Sequence, residues 1–251
     1  MDLNTRFKDH KAIWENNAKK NASWAVLSDP NSFDMENSDF FASGSCHIDL
    51  LMNEIKELNL DNLKREKAMD FGCGIGRLTR ALSLHYQKII GVDVSQTMID
   101  KAMVANKDYP RCRFVCNNES DLQKFSSEKL DLFLSLIVFQ HIPPPYNETY
   151  FLSALDLLKP GAIAIIQAVS KRKKGLKNRL RSALPEKFFR LKHQLLKSHI
   201  PYVTMYSLEF ERVLALIEKS GATLIKANED GAGGADWQSY TYFIRKNQLS
   251  K

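Results

Sequence analysis

Residues 70–77 read Asp-Phe-Gly-Cys-Gly-Ile-Gly-Arg, three glycines at two-residue spacing behind a carboxylate. Glycine lets backbone turn sharply and approach a bound ligand closely. The helix that begins after this turn offers free N–H groups to anything polar docked above it. A dinucleotide site wants its third glycine where Arg77 stands, so that helix and strand pack tightly beside a pyrophosphate. A bulky arginine opposes that packing. Asp70, at the start of the loop, suits a cationic ligand better than an anionic pyrophosphate.

These residues need a strand before them and a helix after them, and the flanking pattern predicts both. Lys67–Phe71 reads as a short strand and Arg77–His85 as a helix with Leu78, Ala81 and Leu82 inward. Lys88–Val94 is an apolar strand, and Ser95 is placed to cap a helix through about residue 106. Further strands are expected at Arg113–Cys116, Leu130–Leu136, Ala162–Val169, Leu224–Asn228 and Ser239–Arg245, the last two antiparallel to each other. Helices are expected at 46–58, Tyr150–Leu158 and Ser207–Lys219. Repeated strand–helix units with apolar strands imply an α/β fold whose mostly parallel sheet is covered on both faces.

The chain has 251 residues, 44% of them hydrophobic, enough for one α/β domain with additions. No apolar run approaches the ~18 residues of a membrane span. Residues 1–20 contain no apolar segment and carry acids, which reads as neither a signal nor a transit peptide, so a cytoplasmic location is the expectation. Cys46, Cys73, Cys112 and Cys116 form no CxxC pair and lack partners at metal-ligand spacing, so no metal is expected. The net charge of +7 is concentrated in Lys171–His199, which holds eleven Lys/Arg and a single acid, Glu186.

The Ala68–Leu82 stretch resembles the glycine-rich first motif of the class I S-adenosylmethionine-dependent methyltransferases. The resemblance continues, in order, at residues 89–99, 113–122, 130–142 and 157–167. It implies a Rossmann-like three-layer sandwich with seven strands, the last antiparallel. In that reading residues 1–45 form an N-terminal helical extension or lid. Residues 46–251 form the methyltransferase domain, with a basic helical insertion at 171–206. The implied cofactor is S-adenosylmethionine. The resemblance places Asp70, Gly72, Cys73 and Gly74 near its methionine part, Asp93 and Val94 at its ribose and Met98 at its adenine. Asn118, with Glu119 beside it, stands where the family usually has an acid near the adenine amino group, and Leu136 adds backbone contact.

The same resemblance implies methyl transfer to an acceptor. The segment after the fourth strand reads SLIVFQHI and has no Asn-Pro-Pro-Tyr-like run, which tilts the acceptor towards oxygen rather than nitrogen. His141 is the candidate general base, since an imidazole with a pKa near ~6.5 suits proton removal from a hydroxyl. Ordering of the loop or contact with cofactor is the competing role for His141. Trp14, Trp24, Tyr202, Tyr206 and Trp237 are candidate substrate walls. The basic segment has four readings: a solvated face, attraction of an anionic small molecule or glycan, peripheral docking on anionic membrane through 171–199, and RNA binding. RNA is the least favoured, because no nucleic-acid recognition module accompanies the charge. The alternatives to a methyltransferase are a nicotinamide oxidoreductase and a non-catalytic adaptor of the same fold at a membrane surface.

Overall fold

A computed structural model describes residues 3–22, 38–60, 64–174 and 203–248. Two helices, α1 (Leu3–Lys20) and α2 (Ser38–Glu57), precede a regular alternation. It runs β1 (Lys67–Phe71), α3 (Arg77–Leu82), β2 (Lys88–Asp93), α4 (Gln96–Ala105), β3 (Cys112–Cys116) and β4 (Leu130–Ser135). It continues with α5 (Tyr146–Asp156), β5 (Leu158–Arg172), α6 (Phe210–Lys219), β6 (Ala222–Asp230) and β7 (Trp237–Lys246). The seven strands form one sheet in the order β3-β2-β1-β4-β5-β7-β6. Neighbours from β3 to β5 pair in parallel, and β7 runs antiparallel to both β5 and β6. The expected α/β sandwich, with its reversed last strand, is the observed architecture.

Alternation along the strands explains why both faces need covering. Met69, Ile90, Phe133 and Ala164 point to one face, where Phe151 and Leu155 of α5 and Leu216 of α6 bury them. Ala68, Ile89, Leu132 and Ile163 point to the other, under Ile48 and Met52 of α2 and Leu82 of α3. Strands apolar on both sides are the signature of a parallel sheet between helical layers. Among the described residues no helix is long and apolar enough to cross a membrane.

Several boundaries differ from the sequence reading; α3 stops at Leu82, short of His85, and α6 starts at Phe210, past Ser207. Helix α2 begins at Ser38, so it runs across the expected division at residues 45 and 46. The cause is Phe40, which is buried with Ala18, Ala22, Ile75 and Met98 and so belongs to the packed helix. Helix α5 begins at Tyr146, one residue after Pro145. Strand β5 runs on to Arg172 because β7 pairs with it as far as Trp237. The opening of the expected basic helical insertion is therefore strand, while its residues 175–202 lie outside the described residues.

The sheet order reverses at β1, whose neighbours are β2 on one side and β4 on the other. In such sheets a crevice opens beyond the carboxyl ends of the strands at this switch point. The turn there depends on Gly76, which caps α3 at φ 87°. A Cβ on Gly76 would lie 2.6 Å from Asn106 Nδ2 and 2.8 Å from the Phe114 ring. Asn106 is fixed by donating to Ile75 O and Ala102 O, so it cannot yield freely. We expect Gly76→Ala to destabilise the fold by roughly 2 kcal/mol, combining backbone strain and overpacking, read as a lower urea midpoint at unchanged slope.

Candidate functional site

The crevice is a cleft of about 1070 Å³ counting its open mouth. Two carboxylates lie at its floor. Asp70, in β1, is 2% exposed, and its Oδ2 accepts a 2.6 Å hydrogen bond from Thr79 Oγ1. Burial pushes its carboxyl up to about 6, opposed by that hydrogen bond and by the Arg77 charge. Asp93 ends β2, where its Oδ2 accepts from Gly74 N and its Oδ1 from Ser95 N, each at 2.9 Å. Burial raises its pKa too, against those backbone donors. Each Asp93 oxygen keeps a second lone pair, so a ligand hydroxyl can still donate to it.

The glycine turn is held against β2, with Gly72 N and Cys73 N both donating to Val92 O. Gly72 has φ 78°, and a Cβ there would sit 2.2 Å from Val138 Cγ2. Val138 belongs to a strained turn after β4. Its neighbour Ile137 adopts φ 61°, unfavourable for a β-branched side chain, and is held by donating its N–H to Gln167 Oε1 at 2.9 Å. Gly72, Ile137 and Val138 all line the cleft, so close approach of two loops shapes its wall.

Helix α1 roofs the cleft. Glu15 ties it to the start of α4, accepting from Ser95 Oγ at 2.7 Å, Thr97 Oγ1 at 2.5 Å and Thr97 N at 3.3 Å. These hydrogen bonds outweigh burial and draw the Glu15 carboxyl down to about 2. Phe7 packs on Tyr146 with ring centroids 5.0 Å apart, and Trp14 stands edge-on to His141 at 5.1 Å. His10 and His141 face the same cleft, and burial lowers both to about 4, so both rings are uncharged at neutral pH. His141 Nδ1 lies 3.4 Å from Thr204 O, which can only accept. That pairing puts the ring proton on Nδ1 and leaves Nε2 as an acceptor, with Gln140 Nε2 3.5 Å away from it.

Among the residues singled out from sequence, Asp70, Gly72, Cys73, Gly74, Asp93 and Val94 line the cleft. So do Met98, Leu136, His141 and Trp14. Asn118 and Glu119 are exposed and do not line it; the loop residue that does is Asn117. Asn117 N donates to Asp93 O, carrying the strand pattern one residue past β3, so its side chain turns inward and the next turns out. Tyr206 lies outside the lining, with its N–H on Gln140 O. Trp237, the first residue of β7, is buried beneath the Arg172 guanidinium, 4.2 Å from its ring centre, and does not line the cleft. Trp24 and Tyr202 fall outside the described residues. Sequence reasoning missed His10, His47 and Asn117. His10 was within reach, because Phe7, His10 and Trp14 are spaced as one helix face. Among the described residues no group of three or more His, Cys, Asp or Glu could hold a metal ion.

Residues 68–161 match the family model described as a methyltransferase domain. A ubiquinone biosynthesis O-methyltransferase of Coxiella burnetii is 27% identical over 110 residues, covering 43% of this chain and 46% of that protein. A putative RNA methyltransferase of Acanthamoeba polyphaga mimivirus is 29% identical over 120 residues, covering 45% of this chain and 31% of that protein. The chain spans about half the length of the first of these curated relatives, or less. Magnesium protoporphyrin IX methyltransferase from Synechocystis PCC 6803, solved with bound S-adenosylhomocysteine, superposes with a TM-score of 0.61 at 15% identity, over 94% of this chain and 98% of that one.

The Glu15 tie gives a prediction independent of any ligand. Removing a side chain that satisfies a helix N-terminus costs about 1 kcal/mol. Glu15→Ala should speed amide exchange in α1 about fivefold, while β1 and β4 keep their protection.

Proposed function

We propose that this chain, which belongs to the class I S-adenosylmethionine-dependent methyltransferases, moves a methyl group from that cofactor to an oxygen of a small molecule. The observation that carries the reading is the pair of carboxylates at the ends of β1 and β2, Asp70 buried and Asp93 half-buried, with a glycine turn between them. A nicotinamide dinucleotide would bring its pyrophosphate to this same floor, between two carboxylates and beside a buried Arg77 where helix packing wants glycine.

The residues present fit the cofactor. Asp93 has open lone pairs for ribose hydroxyls, and Met98 offers an apolar surface for adenine. Asn117 Oδ1 is a buried acceptor with no hydrogen-bond partner among the described residues, while its Nδ2 is spent on Glu119 O and Asp121 O. An adenine amino group is a donor of the kind such an orphaned acceptor needs. Asp70 supplies a negative charge for the ammonium. The cofactor's part in the chemistry is an electrophilic sulfonium methyl group.

The chain's own residues position the acceptor and take its proton. His141 Nε2 is an unprotonated acceptor that receives the hydroxyl proton as the oxygen attacks. Phe7, Trp14, Val138 and Ile142 line the same cleft with apolar surface, Trp14 directly against the His141 ring. Positioning of this sort supplies much of the acceleration in a displacement reaction. An apolar wall with few polar groups supports a small, mostly apolar hydroxyl compound over a glycan. The similarity to a protein named as an O-methyltransferase supports oxygen.

The reading is tested by incubating the protein with methyl-labelled S-adenosylmethionine and fractionated lysate, including lipid and polysaccharide fractions. Label should appear in a small hydroxyl-bearing product. Asp93→Ala should weaken S-adenosylhomocysteine on the order of 100-fold in calorimetry, because two charge-assisted hydrogen bonds are lost. His141→Ala should lower kcat about 10²- to 10⁴-fold with cofactor affinity unchanged. Affinity for S-adenosylhomocysteine should also fall with acid. Below about pH 6 Asp70 takes up a proton in the free protein, and ammonium binding must expel it. Asp70→Asn should remove that dependence.

A further inference from the structure

Helix α1 carries Phe7, His10 and Trp14 at i, i+3 and i+7, along one face. The two outer rings are anchored. Phe7 packs on Tyr146 at the start of α5, and Trp14 stands against His141 in the turn after β4. Glu15 fastens the same helix to α4. His10 is therefore held between fixed points, with its ring centre 6.5 Å from that of Phe7, and it lines the cleft. It lies near enough to His141 for the two rings to interact electrostatically.

His10 has no polar partner. Among the described residues neither ring nitrogen is hydrogen-bonded, whereas His141 Nδ1 is engaged by Thr204 O. Burial, with His141 beside it, keeps His10 uncharged, so the ring offers an N–H donor and an acceptor nitrogen. Such a group set among Phe7, Trp14, Val138 and Ile142 costs free energy unless something hydrogen-bonds to it. An apolar side chain would roof the cleft without that cost.

The place of His10 says what the missing partner is. Among the described lining residues the charged ones are Asp70, Arg77 and Asp93, on β1, α3 and β2. His10 stands at the other end, where α1 meets the turn after β4 and the start of α5. That end has apolar walls and two neutral imidazoles, and no charged side chain among the described residues lines it.

We infer that His10 binds the methyl acceptor, hydrogen-bonding a second polar group on an uncharged compound whose hydroxyl faces His141. This rests on the O-methyltransferase reading and narrows its substrate class to a neutral molecule with a polar group besides the hydroxyl. The two histidines divide the work. His141 takes the proton, and His10 sets the acceptor's orientation from the roof. Helix α1 is then a specificity element as well as a cover.

The test is transfer from methyl-labelled S-adenosylmethionine to the small-molecule fraction of a lysate, assayed at several dilutions. His10→Phe keeps an aromatic ring and removes both nitrogens. It should raise the apparent KM for the fraction about tenfold and leave the maximal rate within about threefold, as expected for a hydrogen bond made in ground and transition states alike. His10→Leu carries the same expectation if the larger ring disturbs α1. His10→Gln restores a donor and an acceptor and should stay within about threefold of wild type. All three should bind S-adenosylhomocysteine within about twofold of wild type in calorimetry. The labelled product should pass anion- and cation-exchange resins unretained. An unchanged KM in the apolar variants overturns the inference, and so does a glutamine variant as impaired as they are. Loss of S-adenosylhomocysteine affinity in step with KM overturns it by assigning His10 to the cofactor, and a product retained on either resin overturns the uncharged acceptor. Wild-type protein that binds S-adenosylhomocysteine but labels nothing contradicts the methyl-transfer reading itself.

Discussion

Two carboxylates at the carboxyl ends of adjacent parallel strands, Asp70 buried and Asp93 half-buried, are the constraint on which this site depends. Asp70 and Asp93 are both raised by loss of water, and each is held by a defined donor set. For Asp93 those donors are backbone N–H groups, one from the glycine turn and one from the start of α4. The turn therefore cannot move without freeing that half-buried charge, and α4 cannot shift without the same penalty. The glycines follow from this. At Gly72, pinned to Val92 O on one side and pressed by Val138 on the other, there is no room for a Cβ.

The helices that precede the sheet complete what the strands begin. Helix α1 is mostly polar and would have little reason to dock on apolar burial alone. Glu15 fixes it instead, by satisfying the first turn of α4 next to Asp93. That one attachment delivers Phe7, His10 and Trp14 to the cleft together. Helix α2 contributes differently. Its apolar face packs on the sheet through Ile48, Met52 and Ile55, while Ser43, Gly44 and His47 near its start meet Arg77. The N-terminal region thus supplies both the roof and part of the floor.

Much of this was legible before any coordinates. Strand periodicity and the turn residues located all seven strands; β2, β4 and β5 are buried and mostly apolar, while the half-exposed β3 and β6 were marked by the turns around them. The cofactor side of the site was also legible, because a carboxylate, a glycine turn and a second carboxylate are local in sequence. What was hidden was set at a distance. Arg77 read as a steric objection to a dinucleotide, and its burial becomes visible only once Gly44 is known to cross it. Asn117 and Asn118 differ by a single register step, which depends on whether Asp93 O pairs one residue beyond β3. His10 shares the helix face that Phe7 and Trp14 mark, but nothing local in the sequence says that this face closes over the cleft.

The most direct measurement is a crystal structure of the protein with S-adenosylhomocysteine. The account predicts ribose hydroxyls on Asp93 and the adenine edge at Asn117. The amino-acid end should lie beside Asp70, with α1 closed above. A ligand seated elsewhere, or one whose amino-acid end points away from Asp70, would contradict it.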